Sequence, residues 1–163
     1  MNMQKQNLFK LLVAIIICQL AGLLGSLFTT PAIDTWYAEI NKPSFNPPNW
    51  LFGPVWIILF LLMGIALYLV WQKGLDKPVN KLAFWLFIAH LFFNTLWSIV
   101  FFGQKNIGLA LLDISFLWLF IIYLIFSFCN IDKRAAYLLV PYFLWVSFAT
   151  LLNYSIWQLN LPL

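Results

Sequence analysis

Five long apolar runs dominate this 163-residue sequence. Each run approaches twenty residues, the length of helix that crosses about 30 Å of hydrocarbon. The short stretches between the runs hold nearly all of the charged residues and most of the prolines. Only 9% of the residues are charged and 64% are hydrophobic, whereas roughly 25% are charged in an average soluble domain. The pattern therefore predicts an all-α integral membrane bundle of five transmembrane helices.

The predicted helices belong to a single domain that spans residues 1–163. Unbroken runs such as FLWLFIIYLIFSF exclude the alternation of a barrel strand, and helices satisfy their backbone groups internally. The first run follows basic residues and also has features of a signal peptide, but its length favours a retained helix. We place the helices at residues 8–28, 52–71, 82–102, 107–128 and 135–157.

Basic residues are distributed unevenly between the two sides of the predicted bundle. Only Lys42 and Lys105 fall on one side. Since cytoplasmic loops carry an excess of Lys and Arg, we expect the N-terminus in the cytoplasm and the C-terminus outside. The N-terminal tail lacks the composition of a transit peptide, which is typical of a bacterial plasma membrane protein. The opposite side holds Lys5, Lys10, Lys73, Lys77, Lys81, Lys133 and Arg134.

The connection between the first two predicted helices, residues 29–51, is too long for a simple linker. It combines four prolines, which restrict the backbone, with aromatic residues, which favour burial. We expect an ordered lid over the outer mouth of the bundle, with a short helix around residues 34–40. Two alternatives stay open: the segment only seals the helix ends, or rings such as Tyr37 and Trp50 belong to an aromatic belt at the headgroups.

Polar residues at membrane depth are costly, so those present indicate an interior cavity. In the third predicted helix, Asn94, Trp97, Ser98 and Phe101 recur at helical spacing and share one face. Pro141 is expected to kink the fifth helix because its ring displaces one backbone hydrogen bond. A second face, on that helix, contains Pro141, Trp145, Phe148, Ala149 and Leu152, with Asn153 beside it.

Four other residues inside or at the ends of the apolar runs have functional and structural interpretations. Asp113 could carry a proton, contact a ligand or form a structural ion pair. His90 invites a metal or haem interpretation, but it is the only histidine, and a lone polar residue in a bundle usually bonds to a neighbouring helix. Cys18 and Cys129 lack CxxC spacing and are interpreted as small buried residues.

Several classes of function are excluded by what the sequence lacks. It has no Ser/His/Asp or Cys/His set, no glycine-rich phosphate loop, no paired carboxylates and no metal-ligand cluster. Nine basic residues spread over separate connections form no patch for nucleic acid. We therefore expect no metal and no tightly bound cofactor. What remains is an aromatic cavity suited to a flat apolar ligand with a polar edge.

Three sequence blocks carry a resemblance to a known family. They are WYAEINKPSFNPPNWLFGPVW at residues 36–56, FNTLWSIVFFG at residues 93–103, and PYFLWVSFATLLNYSIWQLN at residues 141–160. Together they resemble the tryptophan-rich sensory protein or translocator protein family, also called the peripheral benzodiazepine receptor family. The resemblance covers nearly the whole chain and implies a five-helix bundle, commonly dimeric. It also implies binding of porphyrins and related tetrapyrroles, and in some members of sterols and benzodiazepine-type compounds.

The resemblance also implies which residues form the ligand pocket. By motif position, residues of the second, third and fifth helices would line it, and the KPSFNPP stretch would close it from outside. A sterol motif of the family is incomplete, because Gln158 stands where a basic residue is expected. The candidate ligand-binding residues are Tyr37, Pro47, Trp50, Gly53, Trp56, Asn94, Trp97, Asp113, Trp145, Phe148, Ala149 and Leu152.

Four functions are compatible with these features. The first is a membrane receptor or sensor that binds a porphyrin in the aromatic cavity. The second is an enzyme that degrades porphyrin with light and oxygen, in which Trp56 or Trp145 would be the catalytic residue and the ligand would supply the chemistry. The third is a porphyrin or sterol transporter, although no inverted repeat supports it. The fourth, a purely structural bundle, leaves the Asn94/Trp97 face unexplained.

Overall fold

The structure, a computed structural model, describes residues 3–161. Residues 1, 2, 162 and 163 of the predicted domain lie outside the described residues. Within residues 3–161 five helices are long and apolar enough to cross a membrane, and no strand is formed, so the predicted all-α fold is confirmed. In order, the elements are α1 (Met3–Ile33), α2 (Trp36–Glu39), α3 (Asn49–Trp71), α4 (Pro78–Ser98), a π-helix (Ile99–Gly103), α5 (Ile107–Cys129) and α6 (Lys133–Leu159).

The spanning helices extend beyond their apolar runs because polar residues and prolines begin them. Pro78 stands at the start of α4, where its fixed φ suits the first helical turn. Asn106 accepts a hydrogen bond from the Leu109 amide at the start of α5, and Asp132 accepts one from the Arg134 amide at the start of α6. The connection between α1 and α3 therefore covers residues 34–48, which is shorter than the predicted 29–51.

The five spanning helices form a ring in an order that differs from the chain order. Around the ring, α1 packs on α3, α3 on α6, α6 on α5, α5 on α4, and α4 back on α1. The helices α3 and α4, joined by a short loop, make only a smaller contact across the ring. This order places the first helix between the second and third spanning helices, so that α1, α3 and α4 enclose a common space.

Two glycines let α1 and α3 approach each other closely. A Cβ at Gly64 would lie 2.7 Å from the Ile15 Cα, a distance that two helix backbones cannot relieve without separating. At Gly22 an added Cβ would overlap the Phe60 ring. Small residues at helix interfaces give membrane proteins the van der Waals contact that replaces the hydrophobic effect. The close approach at Gly22 therefore involves α3 of the same chain.

Charged groups join two loops at the end of the bundle opposite residues 34–48. The Asp132 carboxylate lies 2.9 Å from the Arg134 guanidinium and 3.4 Å from the Lys73 ammonium. The hydrogen bond from Arg134 and the nearby positive charges hold the pKa of Asp132 well below its usual range. This carboxylate therefore stays ionised and ties the α3–α4 loop to the start of α6.

A π-helical turn ends the fourth helix and changes which ring faces inward. The Gln104 amide donates to the Ile99 carbonyl at 2.8 Å, one residue further along than in an α-helix. Regular spacing predicts Phe101 on the face of Asn94 and Trp97. Instead, Phe101 is buried beneath the Trp97 ring, and Phe102 turns towards the space between α1 and α3.

We predict that Gly64→Ala destabilises the protein, because the new methyl group meets the backbone of α1. Overpacking of this kind costs about 1–3 kcal/mol, more than the helix propensity that alanine adds. The matched control is Gly53→Ala, also within α3, where an added Cβ meets nothing within 4 Å. Thermal unfolding in detergent should show a lower Tm for Gly64→Ala and an equal or higher Tm for Gly53→Ala. Equal Tm values would contradict the close contact.

Candidate ligand-binding cavity

A cavity of about 390 Å³ lies between α1, α3 and α4, at the end of the bundle that carries residues 34–48. This volume falls within the range of small-molecule sites, roughly 300–1,000 Å³. Its walls are mostly apolar, and no charged side chain lines it within the described part of the chain. The lining residues are Gln19, Ala21, Gly22, Leu23, Gly25, Ser26, Thr29, Thr30, Ile33, Tyr37, Asn49, Phe52, Gly53, Trp56, Ile57, Phe60, Asn94, Trp97, Ser98, Phe102 and Ala149.

Two indole rings stand on helices that face each other across the ring. Trp56 of α3 stacks on Phe60 with a centroid distance of 5.4 Å. Trp97 of α4 stacks on Phe101 at 5.0 Å, and its Nε1 donates to Asn153 Oδ1 at 3.0 Å. The Asn153 amide in turn donates to the Ile107 carbonyl, which ties α6 to the start of α5. The Trp97 ring is therefore held from two sides.

Asn94 connects the cavity wall to the buried centre of the bundle. Its Nδ2 donates to the Tyr142 hydroxyl at 2.8 Å, and the same hydroxyl lies 2.8 Å from His90 Nε2. His90 and Tyr142 are fully buried. This network supports the structural interpretation of His90, since its ring is bonded to a neighbouring helix. Within residues 3–161, no group of three His, Cys, Asp or Glu side chains is placed to hold a metal ion.

The connection of residues 34–48 contributes Tyr37 to the cavity lining and is held by hydrogen bonds. Burial raises the pKa of Tyr37 to about 12, so its hydroxyl stays protonated and donates to Asn46 at 2.8 Å. The Lys42 ammonium is bound by the backbone carbonyls of Tyr37 and Ile40. The short helix α2 lies within the predicted range 34–40, and its Tyr37 side chain lines the cavity.

The middle of this connection is attached to α6 and to Asn160 at its C-terminal end. The Asn41 amide donates to Asn160 Oδ1 at 3.0 Å, and Asn160 Nδ2 donates to the Asn41 carbonyl at 2.9 Å. Phe45 packs edge-on against Phe148 of α6, with ring centroids 6.3 Å apart. These contacts link residues that are more than one hundred positions apart in the sequence.

The structure brings six of the twelve candidate ligand-binding residues together in the cavity wall. Of the others, Pro47 accepts a hydrogen bond from Asn46 in the connection, and the Trp50 side chain is 72% exposed at the start of α3. Asp113 is half-buried on α5, and it does not line the cavity. The six lining residues are Tyr37, Gly53, Trp56, Asn94, Trp97 and Ala149.

Three candidates on α6, Trp145, Phe148 and Leu152, do not line the cavity. Trp145 packs between Phe52 and Phe148, with ring centroids 5.9 and 5.6 Å away, and its Nε1 is buried without a hydrogen-bond partner. Leu152 is buried in a small cluster with Tyr37 and neighbouring residues. Because Phe52 itself lines the cavity, Trp145 supports the wall from behind.

The α1 wall was not anticipated from the sequence. Nine lining residues come from this helix, whereas all candidates from sequence lay on the other helices and the connection. A weak signal exists, because Gln19, Gly22, Ser26 and Thr29 interrupt an otherwise apolar run at spacings of three or four residues. That spacing places these small or polar residues on one face, which the structure turns towards the cavity.

We predict that Asn160→Ala loosens the connection of residues 34–48. Loss of two hydrogen bonds, each worth about 1 kcal/mol, should speed hydrogen exchange at Asn41 and its neighbours by about tenfold or more. The control is Asn130→Ala, at the C-cap of α5 at the opposite end of the bundle. Hydrogen–deuterium exchange by mass spectrometry measures both. Unchanged exchange in residues 34–48 of Asn160→Ala would refute the anchoring role.

Comparison with known proteins agrees with this architecture. The sequence model of the TspO/MBR family matches residues 14–158. Tryptophan-rich protein TspO of Chlorobaculum tepidum is 44% identical over 97% of this chain and 99% of that protein. Tryptophan-rich sensory protein of Cereibacter sphaeroides is 41% identical over 83% of this chain and 85% of that protein. Translocator protein of Homo sapiens is 36% identical over 84% of this chain and 82% of that protein. The chain is therefore a multi-pass membrane protein that belongs to the TspO/MBR family.

Proposed function

We propose that the protein is a membrane receptor or sensor that binds porphyrins and similar flat hydrophobic ligands in its cavity. The observation that carries this proposal is the roughly 390 Å³ cavity, whose uncharged lining includes Trp56 and Trp97 on facing helices. Indole faces stack on flat conjugated rings, and each stacked pair contributes about 0.5–1.5 kcal/mol beyond area burial. The porphyrin is a ligand in this proposal and not a resident cofactor.

The composition of the wall supports a ligand that arrives from the membrane. Leu23 and Ile57 line the cavity and also have exposed side chains on the outside of the bundle, at the contact between α1 and α3. The mostly apolar wall favours a hydrophobic molecule, and its few polar groups would orient one edge. The names of two relatives also support a receptor or sensor function, since one is called a sensory protein and another a translocator protein.

The second candidate function is light-driven oxidation of the bound porphyrin. Trp56 favours it, because this readily oxidised ring lines the cavity and its centroid lies 6.2 Å from that of Tyr142. The protein would then orient a reaction in which the porphyrin absorbs the light. Trp145, the other catalytic candidate, packs against Phe52 and is not among the residues that line the cavity.

We further propose that residues 34–48 face the outside of a bacterial plasma membrane and that the N-terminus is cytoplasmic. The basic residues support this orientation, because seven of the nine lie at the opposite end of the bundle. A reporter enzyme fused to the C-terminus should be active outside the cytoplasm. Cytoplasmic activity of that reporter would reverse the orientation.

We predict that Trp56→Leu weakens porphyrin binding by about fivefold to tenfold, because one stacked ring and its buried area are lost. Protoporphyrin IX is titrated in the dark into the purified protein, and quenching of tryptophan fluorescence reports binding. The matched control is Trp85→Leu on α4, whose ring is 57% exposed and does not line the cavity. Equal affinities of both variants would remove the cavity assignment.

An illuminated arm of the same titration separates binding from turnover. Products that form repeatedly per protein molecule in the wild type, but not in Trp56→Leu, would favour the photochemical function. Bleaching at the same rate with free porphyrin in detergent would leave binding as the sole activity of the cavity.

A further inference from the structure

We propose that Tyr142 and His90 form a redox relay, which moves one oxidising equivalent from Trp56 at the cavity wall to the buried centre of the bundle. In this relay an oxidised Trp56 takes one electron from Tyr142, and the phenolic proton of Tyr142 moves to His90. The inference rests on the proposed function, because the illuminated porphyrin in the cavity supplies the oxidant. It assigns a role to two buried side chains that do not line the cavity.

Trp56 is in contact with a tyrosine behind the cavity wall. The Trp56 ring meets the Tyr142 ring at an interplanar angle of 62°, with centroids 6.2 Å apart. The other aromatic contact of Trp56 within residues 3–161 is its stack on Phe60 at 5.4 Å. A phenyl ring is much harder to oxidise than an indole, whereas a phenol that releases its proton is easier to oxidise. Electrons tunnel rapidly between rings in contact, so Tyr142 is the neighbour that can reduce an oxidised Trp56.

Oxidation of a phenol requires a base, because a phenol that has lost an electron is a strong acid. Tyr142 is fully buried, so water cannot take its proton. Within residues 3–161, the Tyr142 hydroxyl has two hydrogen-bond partners, His90 Nε2 and Asn94 Nδ2, each at 2.8 Å. An amide nitrogen is not basic, whereas an imidazole nitrogen accepts a proton. His90 is therefore the base available to Tyr142.

The hydrogen bond that joins α4 to α6 thus also places a base against the phenol. His90 Nδ1 is buried without a partner in the described chain, so the bond to Tyr142 is the one side-chain bond of this ring. The step requires the tautomer that carries its hydrogen on Nδ1 and leaves the Nε2 lone pair towards the hydroxyl. The transfer moves a positive charge that Trp56 already carries, so it adds no second charge to the apolar interior.

The electrons and the proton balance over three steps. The excited porphyrin gives one electron to dioxygen, which leaves a porphyrin radical cation and superoxide. The porphyrin radical cation takes one electron from Trp56 and is restored. Tyr142 then gives one electron to the Trp56 radical cation and its phenolic proton to His90 Nε2. The products are intact Trp56, a neutral tyrosyl radical and an imidazolium.

This relay protects the cavity wall from its own photochemistry. Dioxygen adds to the ring of an oxidised tryptophan, and an oxygenated ring no longer stacks as an indole. The tyrosyl radical forms instead at a residue that is 0% exposed and does not line the cavity. Each oxidising event therefore leaves Trp56 able to stack on the next ligand.

Laser photoionisation tests the relay without any ligand. An ultraviolet pulse removes electrons from tryptophans of the protein in nanodiscs, and dissolved dioxygen takes up the electrons. Transient absorption then follows the tryptophanyl and tyrosyl radicals. In the wild type, a tyrosyl radical should grow as a tryptophanyl radical decays. Trp56→Phe and Tyr142→Phe should each lose the same component of this growth.

A second pair of rings provides the matched control. Tyr154 and Trp157 of α6 also have centroids 6.2 Å apart, but Tyr154 is 48% exposed and does not belong to the His90 network. Tyr154→Phe should keep the component that depends on Trp56. Distance alone therefore does not explain the result, because both pairs have the same separation.

His90→Gln tests the base. Glutamine can accept a hydrogen bond but does not take up a proton, so growth of the tyrosyl radical should slow by about a hundredfold, the contribution of a positioned base. A residue with a purely structural role would not change this rate in a folded protein, and thermal unfolding checks the fold. If Tyr142→Phe does not fold, His90→Gln and Trp56→Phe carry the test.

The illuminated porphyrin provides a second readout. With bound protoporphyrin IX, light and dioxygen, oxygenation of Trp56 measured by mass spectrometry should be higher in Tyr142→Phe than in the wild type. Oxygenation of Trp85, which is 57% exposed and does not line the cavity, should be equal in both. Equal oxygenation of Trp56 in both proteins would contradict the protective role.

The relay is overturned if the wild type forms no tyrosyl radical after photoionisation, or if Tyr142→Phe or Trp56→Phe leaves its growth unchanged. A wild-type rate in folded His90→Gln overturns the role of His90. Photoionisation needs no porphyrin, which keeps the proposed function separate. If photoionisation shows the relay but porphyrin does not bind, only the proposed function fails.

Discussion

The absence of water in the hydrocarbon layer constrains every polar group of this protein. In water, a serine or an asparagine finds partners in solvent; between spanning helices, it bonds to protein or stays unpaired at a cost. Ser26 and Thr29 therefore donate to their own helix, and Asn94, Tyr142 and His90 bond to one another. These bonds also determine the polarity of the cavity, because a ligand can pair only with the polar atoms that the bonds within the protein leave free.

Close packing of α1 on α3 determines where the cavity lies. Gly64 admits the α1 backbone, and Gly22 admits the Phe60 ring, so the two helices touch along part of their length. Beyond these contacts, small and polar residues of α1 leave space that Trp56, Trp97 and Phe102 border from the other helices. The connection of residues 34–48, attached to α6 through Asn160, contributes Tyr37 to the lining of that space. The shape of the cavity therefore depends on helices that are distant in sequence.

Residues on regular helices and within specific motifs were predictable as part of the cavity. Asn94 and Trp97 share a face by spacing alone, and both line it. Ala149 belongs to the face predicted by spacing on the last helix, and Trp56 came from the family resemblance; both also line the cavity. Other residues depended on features without a local signal. After the π-helical turn, Phe102 lines the cavity and Phe101 does not. Trp145 packs against Phe52, which lines the cavity, and does not line it itself. The helix α1 contributed most to the lining, although its apolar run resembles any lipid-facing span.

The sequence by itself determined that the chain crosses a membrane with five helices, and its motifs determined the family. Both depend on local quantities: the length and hydropathy of each run, and the identity of residues within a block. Only the tertiary structure decided which faces look inward, that α1 stands between α3 and α4, and that Asn94 bonds to Tyr142 at the cavity wall. The physical reason is that helix rotation and hydrogen-bond partners are set by neighbours distant in the chain, such as Ile15 against Gly64 and His90 against Tyr142.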